Sequence, residues 1–219
     1  MIILYLQQFQ GLLQQFLKLF FTVLLIMDPI GILPQFLAIT GEYDALTRRT
    51  IIRHSVIIAG LVLLVFVIFG RVILLFFGIT PGAFYISGGI LFFIISFEMI
   101  QSKPRARTTP TSSIDPSDTK MIAVFPIAIP LIAGPGMITT IMLNVSESSF
   151  TIVSLCILLA AIILGLLIEY AALRAGSLIL KLIGTTGMFV VEKIMGLILS
   201  GLSIQLIYDG LVKLGITAG

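Results

Sequence analysis

Long apolar runs recur along almost the whole of this chain, and they constrain its fold more than any other feature. A bilayer hydrocarbon core of about 30 Å is crossed by about 20 helical residues. Six runs reach that length, at roughly 12–40, 51–79, 81–102, 121–145, 151–173 and 187–212. They are continuous and do not alternate, which argues for helices and against a membrane β-barrel. Of 219 residues, 58% are hydrophobic and 11% charged, and the mean hydropathy is +1.20, so little chain remains for a soluble domain. The expected fold class is an all-α membrane protein with six transmembrane helices.

The charges lie mostly between the runs and orient the chain. Arg48, Arg49, Arg53, Lys103, Arg105, Arg107, Lys120, Arg174 and Lys181 fall on one side, against Lys18, Arg71 and Lys213 on the other. Short cytoplasmic loops collect Lys and Arg, so both termini are expected on the extracytoplasmic side of the cell membrane. A net charge of +3 spread in this way suggests no nucleic-acid partner. Cys156 is alone within a run, which excludes a disulfide framework. The start of the chain lacks a basic segment and a small-residue cleavage site, so it is not read as a removed signal peptide. A helix amphipathic over its first turns is expected instead, with Gln7, Gln8, Gln14 and Gln15 on one face and Leu6, Phe9, Leu13 and Phe16 on the other.

One polar, turn-rich linker, residues 102–120, divides the chain near its middle. At an offset of 106 residues Pro29 meets Pro135, Gly78 meets Gly184 and Thr80 meets Thr186. At 107, Gly89 meets Gly196, Ser96 meets Ser203 and Glu98 meets Gln205. Residues 1–101 and 121–219 are therefore read as two three-helix repeats. Three spans is an odd number, so the second repeat enters the membrane from the opposite side, the plan of many secondary transporters.

Two spans are interrupted near their middles. The first carries "MDPIGILPQF", Met27 to Phe36, and the fourth carries Gly134-Pro135-Gly136. Proline removes a backbone donor and turns its predecessor away from helical angles. Asp28 is a good N-cap and Pro29 a good first helical residue, so "DP" reads as a fresh helix start, with Pro34 able to move that start several residues on. Unwound backbone at membrane depth is tolerated only where protein or water satisfies it. A restarting half-helix presents free N–H groups and a positive dipole end, and a stopping one presents carbonyls. Two such breaks facing each other suit a carboxylate and an ammonium, and a free amino acid carries both. The expected binding positions are Asp28, Pro29, Ile30 and Gly31 in the first break, and Gly134, Pro135, Gly136, Met137, Thr139 and Thr140 in the second. A carboxylate at this depth costs on the order of 2.5–3.5 kcal/mol, which favours a role or a partner for Asp28. Asp28 and Glu98 are the candidates for coupling or gating.

At these residues the sequence resembles the MarC family, which includes archaeal transporters of small neutral amino acids. The likeness rests on "DPIGILPQFLAIT", "IPLIAGPGMITT" and "AFYISGGILFFIISFEMI", and the length, the spans and the linker agree with it. The resemblance implies a multi-pass inner-membrane protein and, for some members, uptake of glycine, alanine and similar amino acids driven by a proton or sodium gradient. Many members carry Asn where this chain has Asp28.

No His, Cys or carboxylate cluster has metal-ligand spacing, no P-loop is present, and no Ser/His/Asp set converges. An ATP-driven pump is excluded for this chain alone, and neither enzyme activity nor a cofactor is expected. Asn144 follows the second break as a further polar group. His54 and the Glu192–Lys193 pair are read as interfacial. The expected partners are a small neutral amino acid, a coupling ion and membrane lipid, with homo-oligomerisation left open. The alternative reading is a channel-like or structural membrane protein without a transport cycle.

Overall fold

The structure, a computed structural model, describes residues 2–41, 43–101, 119–147 and 150–217. The linker expected at 102–120 lies almost wholly outside the described residues. Every described element is helical: α1 (Ile2–Met27), α2 (Leu33–Thr40), α3 (Ala45–Phe76), α4 (Pro81–Gln101), α5 (Thr119–Ile122), α6 (Pro135–Ser146) and α7 (Ile152–Lys213). A stretch of wide π turns, Ala123–Ile132, interrupted by extended backbone at Phe125 and Ile129, continues α5 to the second break.

Capping sets several of these boundaries. Asp44 precedes α3 with extended angles, and its carboxylate accepts the amides of Leu46 at 3.0 Å and Thr47 at 3.4 Å. Arg48 reaches back from α3 and donates to the Thr40 carbonyl at 3.1 and 3.3 Å, placing a cation at the negative end of α2. At the end of α3 the amides of Gly78 and Ile79 return to the carbonyls of Leu75 and Leu74. That arrangement needs a left-handed residue, and Gly78 supplies it at φ +65°.

Helix α7 runs for 62 residues, which if straight would extend about 93 Å. Gly184 breaks it, with φ +69° and ψ 170°, a conformation open to glycine alone. The fifth run was expected to end at 173, but the helix continues past Arg174 to this glycine. Gly78 and Gly184, 106 residues apart, thus both turn the chain with positive φ.

Residues 152–183 pack on α1 and α2. A Cβ added to Gly165 would lie 2.9 Å from Val23 and Met27, and one on Gly176 3.0 Å from Leu33. In the same way Gly70 of α3 faces Val145 and Met142 of α6. The buried face of α3, Ile52, Ser55, Ala59, Leu63, Val67 and Gly70, recurs 106 residues later as Leu158, Ala161, Gly165, Glu169, Leu173 and Gly176, all buried.

Residues 185–213 run antiparallel to α4 along a seam of small residues at heptad spacing. A Cβ on Gly89 would meet the Ser203 carbonyl at 2.8 Å, one on Gly196 the Ser96 carbonyl at 3.1 Å, and one on Gly210 the Gly82 carbonyl at 2.8 Å. Ser96 and Ser203 each donate to the carbonyl three residues back, at 2.7 and 2.6 Å, so their hydroxyls are satisfied within their own helices. Near the far end of this seam Glu147 accepts from the Tyr85 hydroxyl and pairs with Lys213 at 3.0 Å, tying the end of α6 to α4 and α7.

Large apolar side chains cover the perimeter, among them Leu61, Leu64, Ile68, Phe93, Phe97, Leu167 and Leu197. A core of Met27, Leu33, Phe36, Ile132, Met137 and Leu158 gathers both breaks. Apolar residues inside and out suit a protein whose surface faces lipid.

Candidate functional site

The first break begins where Asp28 leaves the helical region at φ +46°. Its amide makes the last bond of α1, to the Leu24 carbonyl at 3.0 Å. Its own carbonyl accepts from Ile32 at 3.2 Å, and its carboxylate accepts the Gly31 amide at 3.1 Å. Asp28 therefore closes a tight turn over 28–31 and does not cap a helix starting at Pro29. The restart falls at Leu33, with Pro34 in its first turn. The reason is geometric: an N-cap uses extended angles, and Asp28 is left-handed. A Cβ built on Gly31 would overlap the Asp28 carboxylate, so a larger residue there must displace it.

The second break is approached through irregular backbone. Phe125 and Ile129, which precede Pro126 and Pro130, take extended angles (φ −133° and −130°), and both X–Pro bonds are cis. The Ala133 amide then returns to Ala128 at 2.8 Å, Gly134 is extended at ψ 172°, and α6 starts at Pro135 without a side-chain cap. The segments on either side of this break are bent by 56°. Gly136 and Met137 are buried, and their amides belong to the open first turn of α6.

The two breaks are neighbours. A Cβ on Gly136 would lie 2.9 Å from Ile26 of α1 and 3.2 Å from Ile95 of α4, with the Phe92 ring at 3.9 Å. Ile26 is two residues before Asp28, so the start of α6 rests against the end of α1 with α4 closing one side. Pro29 is buried, while Asp28, Ile30 and Gly31 are half-buried.

The remaining candidates are placed as follows. Thr140 donates to the Gly136 carbonyl at 2.9 Å and Asn144 to the Thr140 carbonyl at 2.8 Å, so both side chains are engaged with their own helix. Thr139 lays its methyl against Gly88 of α4. Glu98 is exposed on α4. Gln205 is also exposed and bonds Asp209 at 2.7 Å. Lys193 donates to the Ile100 carbonyl at 2.5 Å, linking α7 to the last turn of α4.

The structure adds one residue that the sequence reading passed over. Glu169 is 0% exposed, and neither carboxylate oxygen has a hydrogen-bond partner among the described residues. It lies one turn after Gly165 and two turns before Gly176 on the same face of α7. Those glycines touch Met27 and Leu33, so Glu169 stands opposite the break between them. Asp28 lies within electrostatic range of it. A signal was present in the sequence: the 106-residue offset lays Glu169 over Leu63, a carboxylate against an apolar residue.

Four described helices are long and apolar enough to cross a membrane, and the bent segments 120–132 and 135–146 together make a fifth candidate span. With several helices long and apolar enough to span a bilayer and apolar side chains outermost, this is a multi-pass integral membrane protein. A family model described as MarC family integral membrane protein matches residues 13–214, and the chain belongs to that family. It is 36% identical over 199 residues to a UPF0056 membrane protein of Methanocaldococcus jannaschii, covering 91% of this chain and 97% of the relative. A UPF0056 membrane protein of Pyrococcus horikoshii is 36% identical over 198 residues, covering 90% and 94%. One from Aquifex aeolicus is 31% identical over 220 residues, covering 98% and 99%. No solved structure matches the chain.

Proposed function

We propose that this chain is a secondary transporter of small neutral amino acids, of the glycine and alanine class, driven by an ion gradient across the cell membrane. In this reading residues 1–101 and 121–219 are two three-span units of inverted topology, joined by a cytoplasmic linker at 102–120, with both termini extracytoplasmic. Six spans result when α1 with α2 and the bent pair each count once and α7 counts twice, divided at Gly184. Support for the inverted pair comes from the buried positions that recur at an offset of 106 and from the antiparallel seam. In that seam Gly89 with Ser203 and Gly196 with Ser96 are reciprocal contacts at an offset of 107.

The observation that carries the transport reading is the contact of Gly136 with Ile26, which sets the two breaks side by side. The first-turn amides of α6, at Gly136 and Met137, and the positive end of its dipole suit a carboxylate. The carbonyls that end α1 and the π stretch, with the Asp28 carboxylate, suit an ammonium. Apolar neighbours at Ile26, Phe92 and Ile95 limit the side chain to a small one. Asp28, Pro29, Ile30, Gly31, Gly134, Pro135, Gly136, Met137, Thr139 and Thr140 are the proposed surroundings of the ligand.

The test is counterflow in proteoliposomes loaded with unlabelled glycine, with labelled glycine, alanine, leucine and glutamate outside. Saturable, stereoselective exchange of the small neutral amino acids is expected. Non-saturating flux would support a channel, and no flux of any of them would leave a structural membrane protein.

A further inference from the structure

The first break is faced by a carboxyl group that no described side chain or backbone group satisfies. Both oxygens of Glu169 are buried without a partner. The packing around it is close, because the flanking glycines bring α7 within 2.9 Å of Met27 and 3.0 Å of Leu33 when a Cβ is added. Asp28 acts on Glu169 electrostatically, and Glu192 acts on Asp28 from the far side of Gly184. Helix α2 carries no titratable side chain. On α3 the nearest charged side chain, Arg53, lines a groove with Tyr170 on the adjoining face of α7, and His54 follows it. Among the described residues, the charges that act on Asp28 and Glu169 are those of Glu192 and of each other, all carboxylates.

An ionised carboxylate held away from water without a partner is strongly disfavoured, and the acid form removes the charged part of that penalty. Closely packed helices leave no room for a hydrated ion, whereas a proton needs none. Asp28 already accepts the Gly31 amide, and Glu169 accepts nothing. We propose that Glu169 is the proton-carrying residue of this protein, holding a proton while the first break is packed and releasing it to water when the break opens. The step is an acid dissociation: the O–H bond breaks, the carboxylate keeps the electron pair, and water takes the proton. The proton-coupling role rests on the transport reading; the protonated carboxyl does not.

Two measurements separate these. Infrared difference spectra of the purified full chain at neutral pH should show the stretch of a protonated carboxyl group that shifts in heavy water. That band should persist in Asp28→Asn and disappear in Glu169→Gln. A band unchanged in Glu169→Gln overturns the proposal whatever the protein transports. If the glutamine variant does not purify as a single species, Glu169→Asp decides: a displaced band supports the assignment, and an unmoved one overturns it. In proteoliposomes, an inward proton gradient should accelerate glycine uptake by the parent. Glu169→Gln should lose that acceleration while keeping exchange. Acceleration retained in the variant, or driven in the parent by sodium alone, overturns the coupling. A parent that shows the band but no counterflow leaves the proton site standing and removes the transport reading.

Discussion

Leu63 and Glu169 occupy the same position on two matching helix faces, 106 residues apart, and both are 0% exposed. Each face covers the broken span of the other half of the chain: α3 lies on α6 and the π stretch, and α7 on α1 and α2. At one of the two positions the chain keeps a leucine, and at the other it buries a carboxyl group. Burying a polar group without a partner costs about 1–3 kcal/mol on the mutational scale. Glu169→Leu should therefore raise the thermal midpoint in detergent, and Leu63→Glu should lower it or prevent folding. Midpoints that move together would show that the two faces are not comparable environments.

The seam between α4 and the second part of α7 makes a separate prediction. Gly89 has no space for a methyl group, because the Ser203 carbonyl and the Ile207 side chain lie within 2.8 Å of it. Gly201, on the same stretch of α7, is exposed and has nothing within 4 Å. Gly89→Val should cost about 1–3 kcal/mol as an overpacking substitution, whereas Gly201→Val should be nearly neutral. Thermal stability measured by size exclusion after heating distinguishes the two. Equal losses would mean that these helices do not pack as closely as described.

A third prediction concerns pH. Hydrogen bonds from the Thr47 side chain and the Leu46 amide hold the Asp44 carboxyl below its usual range. A carboxyl lowered on folding contributes stability that is present above its unfolded value and lost as pH falls through the folded one. On acidification below the ordinary aspartate range, the first turn of α3 should fray, and amide exchange at Leu46 and Thr47 should speed up relative to mid-helix residues. Asp44→Ala should show that faster exchange already at neutral pH. Unchanged protection in the alanine variant would show that the cap does not hold this end.

Both interruptions were legible in the sequence because glycine and proline inside an apolar run leave few alternatives. Their detail was less so. Asp28-Pro29 has the composition of a helix start, yet the left-handed turn at Asp28 hands that role to Pro34, and no local propensity distinguishes the two prolines. Pro126 and Pro130 carried a signal of their own, since proline disfavours helical angles at the residue before it. Glu169 precedes Tyr170 and Arg174, a sequence with the composition of the polar end of a span. The helix in fact continues to Gly184, and Glu169 is buried within it. Glu98 and Gln205 align at an offset of 107, and both are exposed.

The last prediction tests the meeting of the two breaks. Gly136 lies where α6 begins, and any side chain there must displace Ile26 of α1 or Ile95 of α4. In the transport reading this is also the space that the ligand's small side chain and carboxylate require. Gly136→Val should therefore abolish glycine and alanine binding while the protein still inserts. Gly201→Val is the control, being an exposed glycine that contacts neither break. Calorimetry on detergent-purified protein measures binding, and the elution profile reports folding. If Gly136→Val elutes as the parent does but binds nothing, the ligand sits at the start of α6. Should it bind as tightly as the parent, the site is built elsewhere, and the contact between Gly136 and Ile26 is packing alone. Gly136→Ala covers the case in which valine prevents folding, since one methyl group overlaps Ile26 without forcing the helices far apart. Weaker binding of alanine than of glycine by this variant would place the methyl group of the ligand beside residue 136, and an unchanged ratio would place it away from there.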